Sequence, residues 1–199
     1  MTKALDAAPE DWSLSSPQHR CAAVLAPLLW QEQGWQVVLI RRPDHLRDHP
    51  GQVAMPGGKR DAEDATPLQT ALRECWEELA IPAEALHLLG AIEPEDTQTT
   101  GFRLFPLFGV LAPHVKLQPD PREVADILFV PLAELWRQNE RAQWQGPDGP
   151  GEPSYLWQGV SIWGATARIL HRFMARLSAI SARTSHEISG LDHQRREER

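Results

Sequence analysis

Three stretches of the sequence predict an α/β fold. Two apolar runs, Cys21 to Trp30 and Trp35 to Ile40, flank the polar turn Gln31-Glu32-Gln33-Gly34 and read as a buried hairpin. Between residues 67 and 79, Leu68, Ala71, Leu72, Cys75 and Leu79 recur at helical spacing. Near the other end, Ile162, Ile169, Phe173, Leu177 and Ile180 repeat that spacing, with Ser161 placed to cap the helix. A chain of 199 residues with 42% hydrophobic content can fill one core, so a single domain is the simplest division. It is expected over residues 19–183, behind an arm at 1–18 that Trp12 can anchor and ahead of a polar, disordered tail at 184–199.

Composition removes several function classes. A formal charge of −7 argues against non-specific nucleic-acid binding, which needs a basic face. No apolar run reaches the length of a membrane span, and the first residues lack an export pattern, so no membrane partner is expected and a cytoplasmic location is the default. Cys21 and Cys75 make neither a disulfide framework nor a metal-ligand pattern and read as small core residues. The sequence leaves room for a homodimer without specifying one.

After the hairpin, Arg41 to Gly51 is dense in charge and interrupted by Pro43 and Pro50, hence a loop. His45 and His49 lie between those prolines with no third nitrogen or sulfur ligand near, which discounts a zinc site. Arg42 and Arg47 have a better use, because guanidinium groups pair well with phosphate oxygens. Pro56-Gly57-Gly58 then fixes one backbone dihedral and frees two, allowing main chain to approach a ligand or ion closely. Thr66, Pro67 and Gln69 form the start signal of the helix, as N-cap, first position and capping-box partner. Beyond it, Leu88 to Ile92, Leu104 to Leu111 and Ile127 to Val130 read as strands, and Pro131 to Asn139 as a short helix. Gln145 to Pro153, rich in glycine and proline, reads as a mobile loop, and Tyr155 to Trp157 as a strand entering the last helix.

Chemistry concentrates on the 67–79 helix. At about 100° per residue, Glu74, Glu77 and Glu78 gather on the side away from the apolar stripe. Like charges at this spacing repel, so the cluster needs solvent or a counter-charge. A hard divalent cation such as Mg²⁺, which prefers carboxylate oxygen, supplies one. A solvated acidic face with Arg73 as partial neutraliser is the alternative that the helix alone leaves open.

The glycine turn and acidic helix together resemble the Nudix box of the Nudix hydrolases: Gly, five residues, Glu, seven residues, Arg-Glu, an apolar residue, any residue, Glu-Glu, any residue, Gly and an apolar residue. Here Gly58 is followed after five residues by Asp64, and Arg73-Glu74-Cys75-Trp76-Glu77-Glu78-Leu79-Ala80-Ile81 supplies the second half. Asp64 stands for Glu, the spacer to Arg73 is eight residues, and Ala80 replaces the Gly that normally serves as a C-cap, which predicts a different helix exit. Upstream, Val38-Leu39-Ile40-Arg41-Arg42 and Leu46-Arg47 through Gly51 to Met55-Pro56-Gly57-Gly58 are similar to the segment preceding the box in the coenzyme A diphosphatase branch. Met55 and Ile40 depart from that signature, which usually has Phe and Thr there. The Thr97-Gln98-Thr99-Thr100-Gly101-Phe102 run and the stretch from Ile162 to Leu170 fit the same branch.

The resemblance, over roughly residues 20 to 180, implies the Nudix α/β/α sandwich with a mixed central sheet. It implies Mg²⁺ or Mn²⁺ held by Glu74, Glu77, Glu78 and the Gly58 carbonyl. Glu74, Glu78 and Glu123 become the catalytic candidates, Glu123 as a fourth carboxylate reaching the site from the loop before Ile127. Arg42, Arg47, Gly57 and Gly58 become candidates for substrate binding, and Arg73 is expected to pair with box carboxylates. The implied substrate is coenzyme A or a derivative, cut at its diphosphate. Two competitors stand beside this: a Nudix diphosphatase for another nucleotide, such as ADP-ribose, NADH or a dinucleotide, and a non-catalytic Nudix nucleotide-binding module, which the presence of all three box glutamates disfavours.

Overall fold

The computed structural model describes residues 5–15, 20–97, 100–140, 145–146 and 149–197. In chain order its elements are β1 (Arg20–Gln31), β2 (Gly34–Arg41), β3 (Val53–Ala54), β4 (Gly57–Lys59), α1 (Pro67–Leu79), β5 (Leu86–Ala91), β6 (Glu95–Asp96), β7 (Phe102–Leu111), β8 (Asp126–Pro131), α2 (Leu132–Glu140), β9 (Gln145–Gly146), β10 (Gly149–Pro150), β11 (Tyr155–Trp157), β12 (Val160–Ile162) and α3 (Gly164–Glu197). Strands β1 to β8 form one mixed sheet with the path β3-β2-β1-β7-β5. Within it β4 also pairs with β1, β6 with β7, and β8 with β2. β1 and β7 run parallel, and the other pairs are antiparallel.

Both faces of this sheet are covered, which is why the strands read as near-continuous apolar runs rather than as alternating ones. Ala23 and Leu25 of β1, Val38 and Ile40 of β2, and Phe105 and Leu107 of β7 face α1, where Ala71, Cys75 and Leu79 complete one cluster. The residues in between, Ala26, Leu28, Val37, Leu39 and Phe108, face the other way onto Leu135 of α2 and Ile169, Leu170, Phe173 and Met174 of α3. The result is an α/β/α sandwich, with its two cores separated by the two-residue period of the strands. Among the described residues, no helix is long and apolar enough to cross a membrane.

Helix α1 begins as its sequence predicts. The Thr66 hydroxyl accepts from the Gln69 N–H at 3.1 Å, Gln69 Oε1 accepts from the Thr66 N–H, and Pro67 opens the first turn. Its exit differs from the expectation. Ala80 keeps the left-handed conformation usual for glycine, at φ 52°, with its N–H on the Trp76 carbonyl and the Ile81 N–H on the Cys75 carbonyl. The first of these is the 5→1 bond of the αL cap, and the buried Ile81 holds the exit shut. Tertiary packing has thus kept the glycine geometry without the glycine. An L-residue there is strained by about 1–2 kcal/mol, and glycine's larger unfolded-state entropy offsets part of that. Ala80→Gly is therefore expected to raise stability by roughly 0.5–1 kcal/mol, or about 2 °C in Tm, measurable by thermal denaturation.

Two further expectations change. Ile162 is a strand residue in the β11–β12 hairpin, and Ser161 pairs with Leu156 instead of capping a helix. The hairpin turn is Gln158-Gly159, both at positive φ (49° and 81°), the two-residue geometry that matches strand twist. Helix α3 starts only at Gly164 and continues to Glu197, past residue 183, where a disordered tail is expected. No proline interrupts the stretch, and propagation from a packed helix is far easier than nucleation. Part of the stretch expected as a mobile loop, residues 147–148, lies outside the described residues, while Gln145–Gly146 and Gly149–Pro150 pair as β9 and β10.

The N-terminal arm is tied to the body. Trp12 is buried, packs edge-on against Phe105 at 5.1 Å, and donates its indole N–H to the Asp64 carbonyl. α3 is held along its polar side by Arg168 and Arg172 on Glu95 and by Arg176 on Asp6 and Glu93.

Candidate active site

The site starts from two glycines. β4 lies antiparallel to β1, with Val24 opposite Gly57 and Ala23 opposite Gly58. At Gly57, φ is 147°, and a Cβ would overlap the Ala23 carbonyl oxygen, so only glycine lets the two backbones meet. At Gly58 the place of a Cβ is filled by the Glu74 carboxylate. Helix α1 is thereby seated against the turn, and the Gly57 N–H donates to Glu78 Oε2 at 2.9 Å.

This seating buries Glu78 to 1% exposure, against the expectation that it sits away from the apolar stripe: at about 100° per residue it lies at the flank of that stripe, three residues after Cys75 and seven after Ala71. Ala71, Cys75 and Glu78 are buried together because they share the side of α1 that β4 and β1 cover. Burial pushes the Glu78 carboxyl up to about 8, with the Gly57 N–H opposing and the neighbouring Glu74 and Glu123 adding to the rise. Burial also raises Glu74, against the pull of Arg73.

Glu123 arrives from the loop before β8. Two of the last-turn carbonyls of α1 accept from that loop: Leu79 from the Gln118 N–H and Glu78 from the Asp120 N–H, both at 2.9 Å. A turn closed by Glu123 and Val124 N–H bonds to the Asp120 carbonyl then carries Glu123 to the acids of α1. One carboxylate oxygen from each of Glu74, Glu78 and Glu123 lies within 4.8 Å of the others. Three hard oxygen donors, two of them raised in pKa by burial and mutual repulsion, make a donor set that fits a divalent cation such as Mg²⁺ or Mn²⁺.

Glu77 is not part of that cluster. Its carboxylate, 46% exposed, takes a hydrogen bond from Arg73 Nη1 at 3.0 Å. Arg73 is the organising cation of the box: it also reaches Glu74 at 2.9 Å, Asp64 at 3.0 Å and the Lys59 carbonyl at 2.9 Å. Asp64, which stands where the box pattern has Glu, is buried. Although burial opposes its charge, Arg73, the Asp61 N–H and the Thr70 hydroxyl hold its carboxyl below the usual range. The shorter acid with its longer spacer is a structural post for Arg73.

A cavity of about 440 Å³ opens beside the glycine turn, on the α3 side of the sheet. Arg42, Met55, Gly57, Gly58, Phe102 and Ile169 are among its lining residues. Arg42 faces both ways, for its charge also pulls on Glu78, and its buried Nε finds no hydrogen-bond partner among the described residues. Arg47, exposed in the loop after β2, is not among the lining residues. Sequence reasoning missed Arg20 and Lys59 in this wall, although strand parity could have placed them there.

A NUDIX domain profile matches residues 19–148. The chain is 38% identical over 174 residues to the uncharacterized Nudix hydrolase NudL of Yersinia enterocolitica, covering 85% of this chain and 87% of that one. The chain belongs to the Nudix hydrolase family. A second relative, NudL of an Enterobacter species, is 38% identical across 79% of this chain and 83% of its own length. Among solved structures, the MutT protein of Methanosarcina mazei shares the Nudix fold at a TM-score of 0.50 and 17% identity, over 82% of this chain and 99% of that one. As a Nudix hydrolase the protein acts on the diphosphate bonds of nucleoside diphosphate derivatives, and Nudix enzymes generally need a divalent metal ion for it.

Proposed function

We propose that this Nudix hydrolase cleaves the diphosphate of coenzyme A or its derivatives with Mg²⁺ or Mn²⁺, in the cytoplasm, giving 4′-phosphopantetheine or its acyl form and adenosine 3′,5′-bisphosphate. The convergence of Glu74, Glu78 and Glu123 at the Gly57-Gly58 turn, next to a cavity with Arg42 in its wall, carries the reading. The coenzyme A-like signature running from Val38 to Gly58 supports the substrate. Glu74, Glu78 and the Gly58 carbonyl are the residues that would hold the ion. Glu77 joins them only by giving up its pair with Arg73. When bound, the ion supplies positive charge against the diphosphate.

The chain's own residues do the rest. Arg42 and the main chain of Gly57 and Gly58 bind and orient the diphosphate, with Arg47 as a candidate for its outer oxygens. Glu123, the exposed member of the cluster, is the carboxylate best able to orient a water and take its proton, because Glu78 is buried against Gly57 and Glu74 is engaged by Arg73. The raised Glu78 keeps negative charge in the site only when a cation balances it.

Incubation with Mg²⁺ and coenzyme A, ADP-ribose or NADH, followed by product analysis, tests the substrate. Coenzyme A is expected to be consumed fastest, with release of adenosine 3′,5′-bisphosphate. Turnover of ADP-ribose or NADH without coenzyme A would assign the protein to another nucleotide and show that Met55 and Ile40 mark a real departure from the signature.

A further inference from the structure

The cavity wall carries a second group of cations that diphosphate binding does not use. Residues two apart on a strand share a face. The register sets Arg20 opposite Phe102 and Ala22 opposite both Leu104 and Lys59. Arg20, Lys59 and Phe102 therefore rise on one side of the sheet, the side of the cavity that all three line. The Arg20 guanidinium carbon lies 4.3 Å from the centre of the Phe102 ring and the Lys59 ammonium 5.7 Å from it. Arg20 is further fixed by donating to the Thr100 carbonyl. Both cations are exposed, and among the described residues neither has a carboxylate partner. Among the described residues, Asp48 is the one acid in the wall, against Arg20, Arg42 and Lys59.

We propose that Arg20 and Lys59 form an anion subsite for a phosphate monoester on the ribose of the substrate nucleotide, so that the enzyme selects a ribose-phosphorylated nucleotide over its unphosphorylated analogue. This rests on the diphosphatase reading for where the diphosphate lies. Lys59 is two residues beyond Gly57, about 7 Å along the strand, a span suited to the two phosphates on the 3′ and 5′ oxygens of one ribose. A monoester carries close to two negative charges near neutral pH, which two unpaired cations match. Phe102 serves as the platform: its ring attracts both side chains and limits their rotamers, so less entropy is lost when the anion arrives. The base finds no free Phe102 face where the guanidinium covers it, which argues for anion binding here over base stacking.

The test compares binding of adenosine 3′,5′-bisphosphate and adenosine 5′-monophosphate by calorimetric titration of the whole chain and of an R20Q/K59Q variant. The wild type is expected to prefer the bisphosphate, and the ratio of affinities to fall by about tenfold for each cation removed. The ratio of kcat/KM for coenzyme A over 3′-dephospho-coenzyme A is expected to fall in parallel. A wild-type chain that binds the two nucleotides equally, or a double variant that keeps the wild-type ratio, overturns the subsite even if coenzyme A is hydrolysed. Discrimination that disappears in the variant, in a protein that leaves coenzyme A intact, supports the subsite and removes the substrate assignment instead.

Discussion

Glu78→Gln is expected to lower diphosphate hydrolysis roughly a thousandfold while making the metal-free protein more stable at pH 8. The two effects share one cause. Glu78 is 1% exposed, and its carboxylate accepts from the Gly57 N–H. Its carboxyl is pushed from 4.5 to about 8, first by burial. A carboxyl whose folded pKa lies above its unfolded one favours the protonated folded state. The stability it contributes is complete below 4.5 and is lost as pH rises through 8. The metal-free wild type should therefore weaken between pH 5 and 8 by a few kcal/mol, roughly 5–10 °C in Tm. Gln has the same shape, can still accept from Gly57 and has nothing to ionise, so its melting temperature should be flat over that range. Added Mg²⁺ should restore the wild type most at pH 8, by displacing the proton, and do little for the variant, which also loses a ligand and with it most of its turnover. Equal melting temperatures for the two metal-free proteins at pH 8 would mean that Glu78 is not a strained buried acid, and full activity in the variant would remove it from the site.

Why Glu78 behaves this way is only partly legible in the helix. Its place three residues after Cys75 and seven after Ala71 sets it at the flank of the apolar stripe, and β4 then covers that flank. The start of α1 was legible because Thr66, Pro67 and Gln69 act within four residues of one another. The β1–β2 hairpin was legible for the same reason, its register being set across the short turn between Gln31 and Gly34. Sequence logic failed where a distant segment supplies the constraint. Ala80 lacks the glycine of the box pattern, but the αL cap bonds and buried Ile81 impose the same exit. Glu123 looks like a loop acid until the Gln118 and Asp120 N–H bonds to the end of α1 are seen. The β11–β12 hairpin is a different case. Its Gln158-Gly159 turn was readable, but counting Ile162 into the following helical period hid it.

Gly57→Ala and Gly58→Ala should fail in different ways, and the contrast tests how the turn works. A Cβ on Gly57 meets backbone: it overlaps the Ala23 carbonyl and lies 2.6 Å from the Val24 Cα, at a φ that an L-residue rarely adopts. Neither atom can rotate away, so β4 must lift from β1 and take the Gly57 N–H off Glu78. A loss of about 3–5 kcal/mol is expected, near 10 °C or more in Tm, with activity falling because the fold fails. A Cβ on Gly58 meets the Glu74 carboxylate, the far end of a flexible side chain. That group can swing aside, so the fold should survive with a loss of about 1 kcal/mol while the three-acid cluster opens. The Gly58→Ala protein should then melt close to the wild type without metal, gain little on addition of Mg²⁺, and hydrolyse slowly. If it melts as low as Gly57→Ala, both glycines serve strand packing alone. If it keeps the full Mg²⁺ response, the Glu74 carboxylate does not need its seat over Gly58 to hold the ion. The predicted separation follows from what each missing Cβ would strike, backbone in one case and a movable carboxylate in the other.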